Sequence, residues 1–189
     1  MKNVVIFASG SGTNAENIMV HFQNHPFVKV VAVFCNNEKA KVTEKAKKWN
    51  VDTEIFSKTN LNEGKVLERL NTYHPDLIVL AGFLLQLPTA IIYQFPNKII
   101  NIHPALLPKY GGKGMYGNHV HQAVLDNKEN ETGITIHFVN ENYDEGEFIF
   151  QKTVDIKECS SIEEIATKVH QLEYEYFPQI IFEILNLKS

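Results

Sequence analysis

The sequence predicts an α/β protein: a doubly wound, mostly parallel sheet with an antiparallel pair of strands toward its C-terminal end. Three observations predict it. Short runs rich in Val, Ile and Leu alternate with amphipathic stretches through the first hundred residues. Those runs show little polar alternation, as expected of strands covered by helices on both faces. A glycine-rich turn follows the first run directly, where a parallel strand hands over to its crossover helix.

Residues 4–8 read as the first buried strand and 14–24 as the helix after it. A second strand over 28–34 precedes a helix over 38–50. Residues 52–56 make a weak third strand, followed by a helix over 61–73. The apolar run 77–81 is a fourth strand, and a short helix over 88–93 leads to a fifth at 98–102. The character then changes. Residues 106–118 are rich in Gly, Pro and Lys and read as a long loop, and 119–127 read as helical. Strands over 133–139 and 147–154 flank the polar turn 140–146, close enough in sequence to pair as a hairpin. A long helix starts near Ser161, with Ser160 or Ser161 as N-cap and Glu163 and Glu164 in its first turn. No repeat or linker interrupts the 189 residues, so one domain over 1–189 is expected.

Charge and cysteine usage narrow the function classes. Net charge is −4, from 18 Lys and Arg against 22 Asp and Glu. That is a poor footprint for a nucleic-acid partner, which needs a basic surface to replace counterions. No apolar stretch is long enough to span a bilayer, and the run after Lys2 is too short for a signal peptide. Cys35 and Cys159 make neither a CxxC pair nor a zinc-ligand spacing and read as free thiols of a reducing compartment. The expectation is a cytoplasmic monomer or homodimer acting on small molecules, without a membrane or nucleic-acid partner.

Two clusters carry candidate chemistry. Ser9-Gly10-Ser11-Gly12-Thr13-Asn14 joins the first strand to the first helix. Such a turn aims backbone N–H groups from the positive end of a helix dipole, an anion site suited to phosphate. It lacks the third glycine of a dinucleotide loop, and Glu16 stands where a pyrophosphate would approach, which favours a mononucleotide or sugar phosphate. The plainer reading is a tight turn without a ligand.

The second cluster ends the fifth strand. Asn101 and His103 share one face of it, with Ile102 opposed, and Pro104 follows. Ligands of open α/β sheets sit beyond the carboxyl ends of strands. An amide and an imidazole aimed at one spot suit acyl-type chemistry: Asn donates to a developing oxyanion and His exchanges a proton near neutral pH. Thr135 and His137 repeat the pattern on a later strand. Asp144, in the turn that follows, is either a carboxylate partner for His103 or an acidic turn residue beside Gly146. His119 and His121 lie on different faces of a predicted helix, a poor chelate, so no metal is expected.

The string Asn101-Ile102-His103-Pro104-Ala105-Leu106-Leu107-Pro108 resembles the NIHPSLLP signature of the folate-dependent formyltransferases. Gly133-x-Thr135-x-His137-Phe138-Val139 with Asp144 and Gly146, Ala81-Gly82-Phe83, and the early glycine loop resemble further motifs of that family, in family order. The resemblance implies the formyltransferase fold, with a Rossmann-type N-terminal half. The short chain is most similar to members that formylate the amine of glycinamide ribonucleotide, with 10-formyltetrahydrofolate as cosubstrate and no metal. It implies that Asn101 and His103 stabilise and protonate a tetrahedral oxyanion while Asp144 holds His103 and raises its pKa, with Thr135 and His137 in support. It places the ribonucleotide on Ser11, Gly12, Thr13, Asn14, Pro104, His170 and Glu173. It places the folate on Phe83, Leu84, Leu85, Gln86 and Leu87, and on Asn140, Glu141, Asn142 and Tyr143. The chain departs from the family where an Arg is usual after Phe83, where a folate-contacting Arg falls near Glu63 or Lys65, and at His170, where Gln is expected. The loop 111–117 is longer than in many relatives and reads either as a mobile flap or as a surface insertion.

Overall fold

The computed structural model describes residues 1–187. Five strands alternate with helices through the first half: β1 (Lys2–Ala8), α1 (Thr13–Phe22), β2 (Val28–Cys35), α2 (Lys41–Lys48), β3 (Asp52–Ile55), α3 (Lys58–Asn62), α4 (Lys65–Thr72), β4 (Leu77–Leu80), α5 (Thr89–Gln94) and β5 (Ile99–His103). The second half adds α6 (Asn118–Asp126), β6 (Glu131–Phe138), β7 (Phe148–Asp155) and α7 (Ile162–Leu187). One seven-stranded sheet runs β3-β2-β1-β4-β5-β6-β7. Its first five strands are parallel, and β6 and β7 join antiparallel. The predicted doubly wound, mostly parallel sheet with an antiparallel C-terminal pair is the observed one. Strand order reverses between β1 and β4, which opens a crevice at their carboxyl ends.

Both faces of the inner strands are buried, as β1 shows, while the edge strands β3 and β7 have no buried residue. Val4, Ile6 and Ala8 enter one core with Ile18 and Phe177, while Val5 and Phe7 enter the other with Leu70 and Ile91. A one-residue slip of β1 would exchange the two sets, so its register is strongly specified. Gly133 lets β6 pass close to β7, because a Cβ there would collide with the Lys152 carbonyl. Pro178 lies inside α7 without ending it. A proline cannot donate to the carbonyl one turn back. That carbonyl, of Tyr174, accepts instead from Asn17 Nδ2 of α1 at 2.9 Å.

Several boundaries differ from the sequence reading. The helix expected over 61–73 is two, α3 and α4, broken at Gly64, whose φ of 85° is left-handed. A capping box of Ser57 and Asn60 starts α3 earlier than expected. Helix α2 begins at Lys41 because Ala40 is extended. Strand β5 runs to His103, so both Asn101 and His103 are strand residues. Glu16 does not approach the anion loop's ligand side. It pairs with Lys45 at 3.0 Å and Lys48 at 3.7 Å and accepts from Trp49 Nε1 at 3.3 Å, tying α1 to α2.

Candidate active site

A cavity of about 680 Å³ lies at the carboxyl ends of β1, β4 and β5. The Gly10–Asn14 loop forms one wall. Gly12 takes the left-handed φ of 66° and packs on Val42, where a Cβ would collide. No side chain caps α1, so its first-turn N–H groups keep no intrahelical partner and remain available to an anion. Ser9 fastens this loop to the next wall: its hydroxyl donates to Asn36 Oδ1 at 2.6 Å and accepts from the Leu84 N–H at 3.0 Å.

The second wall is Phe83, Leu84, Leu85, Gln86 and Leu87, facing Asn140, Asn142 and Tyr143. Glu141 does not line the cavity. Its carbonyl accepts from Gln86 Nε2 at 2.8 Å and its carboxylate from the Tyr93 hydroxyl, so it clamps this wall from outside.

Asn101, His103, His137 and Asp144 meet on the floor. The His137 Nδ1 lies 2.8 Å from the Phe138 carbonyl, which can only accept, so Nδ1 carries the proton. Nε2 of His137 then accepts from Asn101 Nδ2 at 3.2 Å, which orients the amide. By the same logic His103 Nε2 donates to the Tyr110 carbonyl at 2.7 Å. Its Nδ1 faces Asp144 Oδ2 at 3.6 Å, and Asp144 Oδ1 lies 3.6 Å from His137 Nε2. Asp144 adopts φ 57° and accepts the Gly112 N–H at 2.9 Å. Burial opposes ionisation of Asp144, yet His137, His103 and the Gly112 N–H together hold its carboxyl below the ordinary value. Burial also pushes His103 below its ordinary value, although Asp144 and the Tyr110 carbonyl pull the other way. Asp144 therefore pulls the pKa of His103 up while burial, the larger effect, sets its net direction downward.

Thr135 stands behind the floor, fully buried. Its hydroxyl donates to the Ala105 carbonyl at 2.7 Å and accepts from the Leu107 N–H at 3.0 Å and Gln151 Nε2 at 2.9 Å. That grip fixes the segment after β5, including Pro104, which lines the cavity. At the far end His170 and Glu173 reach in from α7. Asn14 Nδ2 donates to Glu173 Oε2 at 2.9 Å, and Asn14 Oδ1 is buried with no partner among the described residues.

A family model for formyl transferases matches residues 2–181. The chain belongs to the formyl transferase family. It is 31% identical to phosphoribosylglycinamide formyltransferase of Bacillus subtilis over all of this chain and 97% of that protein. It is 34% identical to the chloroplastic phosphoribosylglycinamide formyltransferase of Arabidopsis thaliana over 95% of this chain, and spans 64% of that protein's length. The crystal structure of glycinamide ribonucleotide transformylase 1 from Geobacillus kaustophilus superposes with a TM-score of 0.89 at 32% identity, covering 98% of this chain and 99% of that one. No described helix of this formyl transferase is long and apolar enough to cross a membrane. No cluster of His, Cys, Asp or Glu that could hold a metal is present among the described residues.

Some of this formyl transferase's cavity was not readable from its sequence. His121 is buried and lines the cavity, with Nδ1 unpartnered among the described residues. Burial, with His170 and His103 nearby, pushes it down to about 4. It lies on the inward stripe of Val120 and Val124, but its place in the cavity depends on how α6 docks. The Tyr110 carbonyl and Gly112 N–H act through the backbone and leave no residue-type signal.

Glu173 has a stability signature. It is 5% exposed, and burial pushes its carboxyl up to about 7, against the pull of Asn14. A folded pKa above the unfolded one favours the protonated form. The associated stability is present below about 4.5 and is lost as pH rises through about 7. Glu173→Gln should abolish that slope, on the order of 3 kcal/mol between pH 4.5 and 8. Urea unfolding of both proteins across this range checks it, and parallel curves would contradict the assignment.

Proposed function

We propose that this chain transfers a formyl group from 10-formyltetrahydrofolate to the amine of glycinamide ribonucleotide, giving formylglycinamide ribonucleotide in purine synthesis. The reading rests on one observation above all. Asn101, His103 and Asp144 converge on the floor of a cavity whose wall is an uncapped helix N-terminus. The relatives' names supply the acceptor and the group transferred, and the folate donor rests on the resemblance of the Asn101–Pro108 string to the folate-dependent formyltransferases.

On this reading the ribonucleotide phosphate sits on the N–H groups of residues 11–14, with Pro104, His170 and Glu173 toward its glycinamide end. The folate ring sits between residues 83–87 on one side and Asn140, Asn142 and Tyr143 on the other. The amine attacks the formyl carbon, and as the tetrahedral intermediate collapses the bond from that carbon to folate N10 breaks, N10 taking up a proton and the attacking amine losing one. Asn101 Nδ2, oriented by His137, donates to the oxyanion as it forms. Protonated at Nδ1, the nitrogen not engaged by the Tyr110 carbonyl, His103 supplies a second donor and the proton, and Asp144 beside it balances the charge of its imidazolium. A single domain then works on two small molecules, without a metal, in the cytoplasm, as a monomer or homodimer.

The test is to mix the purified protein with 10-formyltetrahydrofolate, with and without glycinamide ribonucleotide, and follow free folate and formylated product. Release that requires the ribonucleotide is the expected result. Release without it would replace transfer by hydrolysis, and no release under either condition would remove this substrate pair.

A further inference from the structure

The cavity is short of positive charge. Among its lining residues Lys113 is the single Lys or Arg, while Asp144 and Glu173 both line it. On the proposed reading the cavity takes two anionic ligands, a phosphate monoester and a folate bearing carboxylates. The anion loop offers them N–H dipoles but no full charge.

Lys113 is exposed and makes no ion pair among the described residues. Its backbone is nonetheless fixed near the reacting groups. The preceding residue, Gly112, donates its N–H to Asp144 Oδ2 at 2.9 Å, and its carbonyl accepts from Met115 to close a turn around Lys113. Gly112 and Gly114 flank it with φ values of 94° and 90°, and nothing crowds either glycine within 4 Å. Left-handed glycines on both sides let the turn swing while the Gly112 contact keeps it beside Asp144. An unpaired ammonium on a hinged turn over a cation-poor cavity has the chemistry to close on an anion.

We infer that Lys113 is a specificity-determining residue that pairs with an anionic group of a bound substrate. The inference rests on the formyl-transfer reading above. The shared chemistry is a phosphate or carboxylate oxygen, supplied either by the ribonucleotide or by the glutamyl tail of the folate. Such a contact holds ground state and transition state alike, so its loss appears in KM rather than kcat.

Steady-state kinetics of wild type, Lys113→Met and Lys113→Arg test it. Lys113→Met should raise one substrate's KM about tenfold, as for a lost charge-assisted hydrogen bond, with kcat near wild type. Lys113→Arg should restore much of the loss, and the difference should shrink in high salt. Two truncated substrates identify the source. A KM penalty that vanishes with the dephosphorylated ribonucleoside assigns the phosphate. One that vanishes with a donor lacking the glutamyl tail assigns the carboxylate. Unchanged KM values for both intact substrates, or a penalty surviving both truncations, would overturn the role of Lys113 while leaving formyl transfer standing. A wild-type protein that transfers no formyl group would instead overturn the underlying reading, and the inference with it.

Discussion

His103→Ala is expected to lower kcat by about two to four decades, the range typical of a lost general acid. The size follows from what His103 alone supplies. Asn101 remains as a neutral donor, so part of the oxyanion stabilisation survives. On the proposed mechanism neither His137 nor His121 takes over the proton. His137 has its Nδ1 proton committed to the Phe138 carbonyl and its Nε2 to Asn101. His121 is buried with a pKa near 4 and is neutral at working pH. The fold should survive, because β5 is held by backbone ladders to β4 and β6 and by Ile100 and Ile102 in the core. The structural cost is the Tyr110 carbonyl left without its donor, about 1–3 kcal/mol. Single-turnover formyl transfer separates chemistry from binding, and circular dichroism checks the fold. Turnover close to wild type in a folded His103→Ala protein would end the mechanism.

How much of this was legible in the sequence varies by residue for physical reasons. Strand β1 announced itself because both its faces are buried, which makes residues 4–8 uniformly apolar. Asn101 and His103 could be placed on one face because strand geometry has a fixed period of two. Gly12 signalled its turn because only glycine fits a left-handed residue packed on Val42. The α3–α4 break was missed although Gly64 marks it, since the apolar spacing runs on across the glycine. Glu16 was misread because its partners, Lys45 and Lys48, belong to a helix whose docking is a tertiary fact. His121 shows part of the same limit: it shares the helical stripe of Val120, Val124 and Leu125, which spacing carries, but its place in the cavity is set by how α6 docks. Asp144 lay between these cases. Its place in a turn was plain, but its reach to His103 depends on a backbone φ of 57° and on the Gly112 N–H.

That geometry makes Asp144→Asn the sharper test of the site's electrostatics. Asparagine tolerates the left-handed conformation better than most residues, so the turn should persist where alanine would strain it. The amide oxygen can still accept from Gly112, and volume is conserved. What disappears is the negative charge beside two histidines. Turnover should fall by roughly two decades or more, in the range of a lost proton-transfer contribution, because the imidazolium of His103 loses the carboxylate that balances it. The pH profile carries the sign. Asp144 pulls the pKa of His103 upward against burial, so its neutralisation lets burial lower that pKa further. A general acid is lost as pH rises through its pKa. The alkaline limb of kcat should therefore move to lower pH in Asp144→Asn, and the His103 ring protons should titrate correspondingly lower by NMR. A second consequence lies in the loop. Asp144 anchors Gly112 through a charge-assisted bond that becomes neutral in the variant, so residues 111–117 should become more susceptible to limited proteolysis. An unchanged profile and unchanged proteolysis would reduce Asp144 to the turn residue that its sequence context alone suggests. A shifted profile with intact loop protection would assign its role to His103 alone.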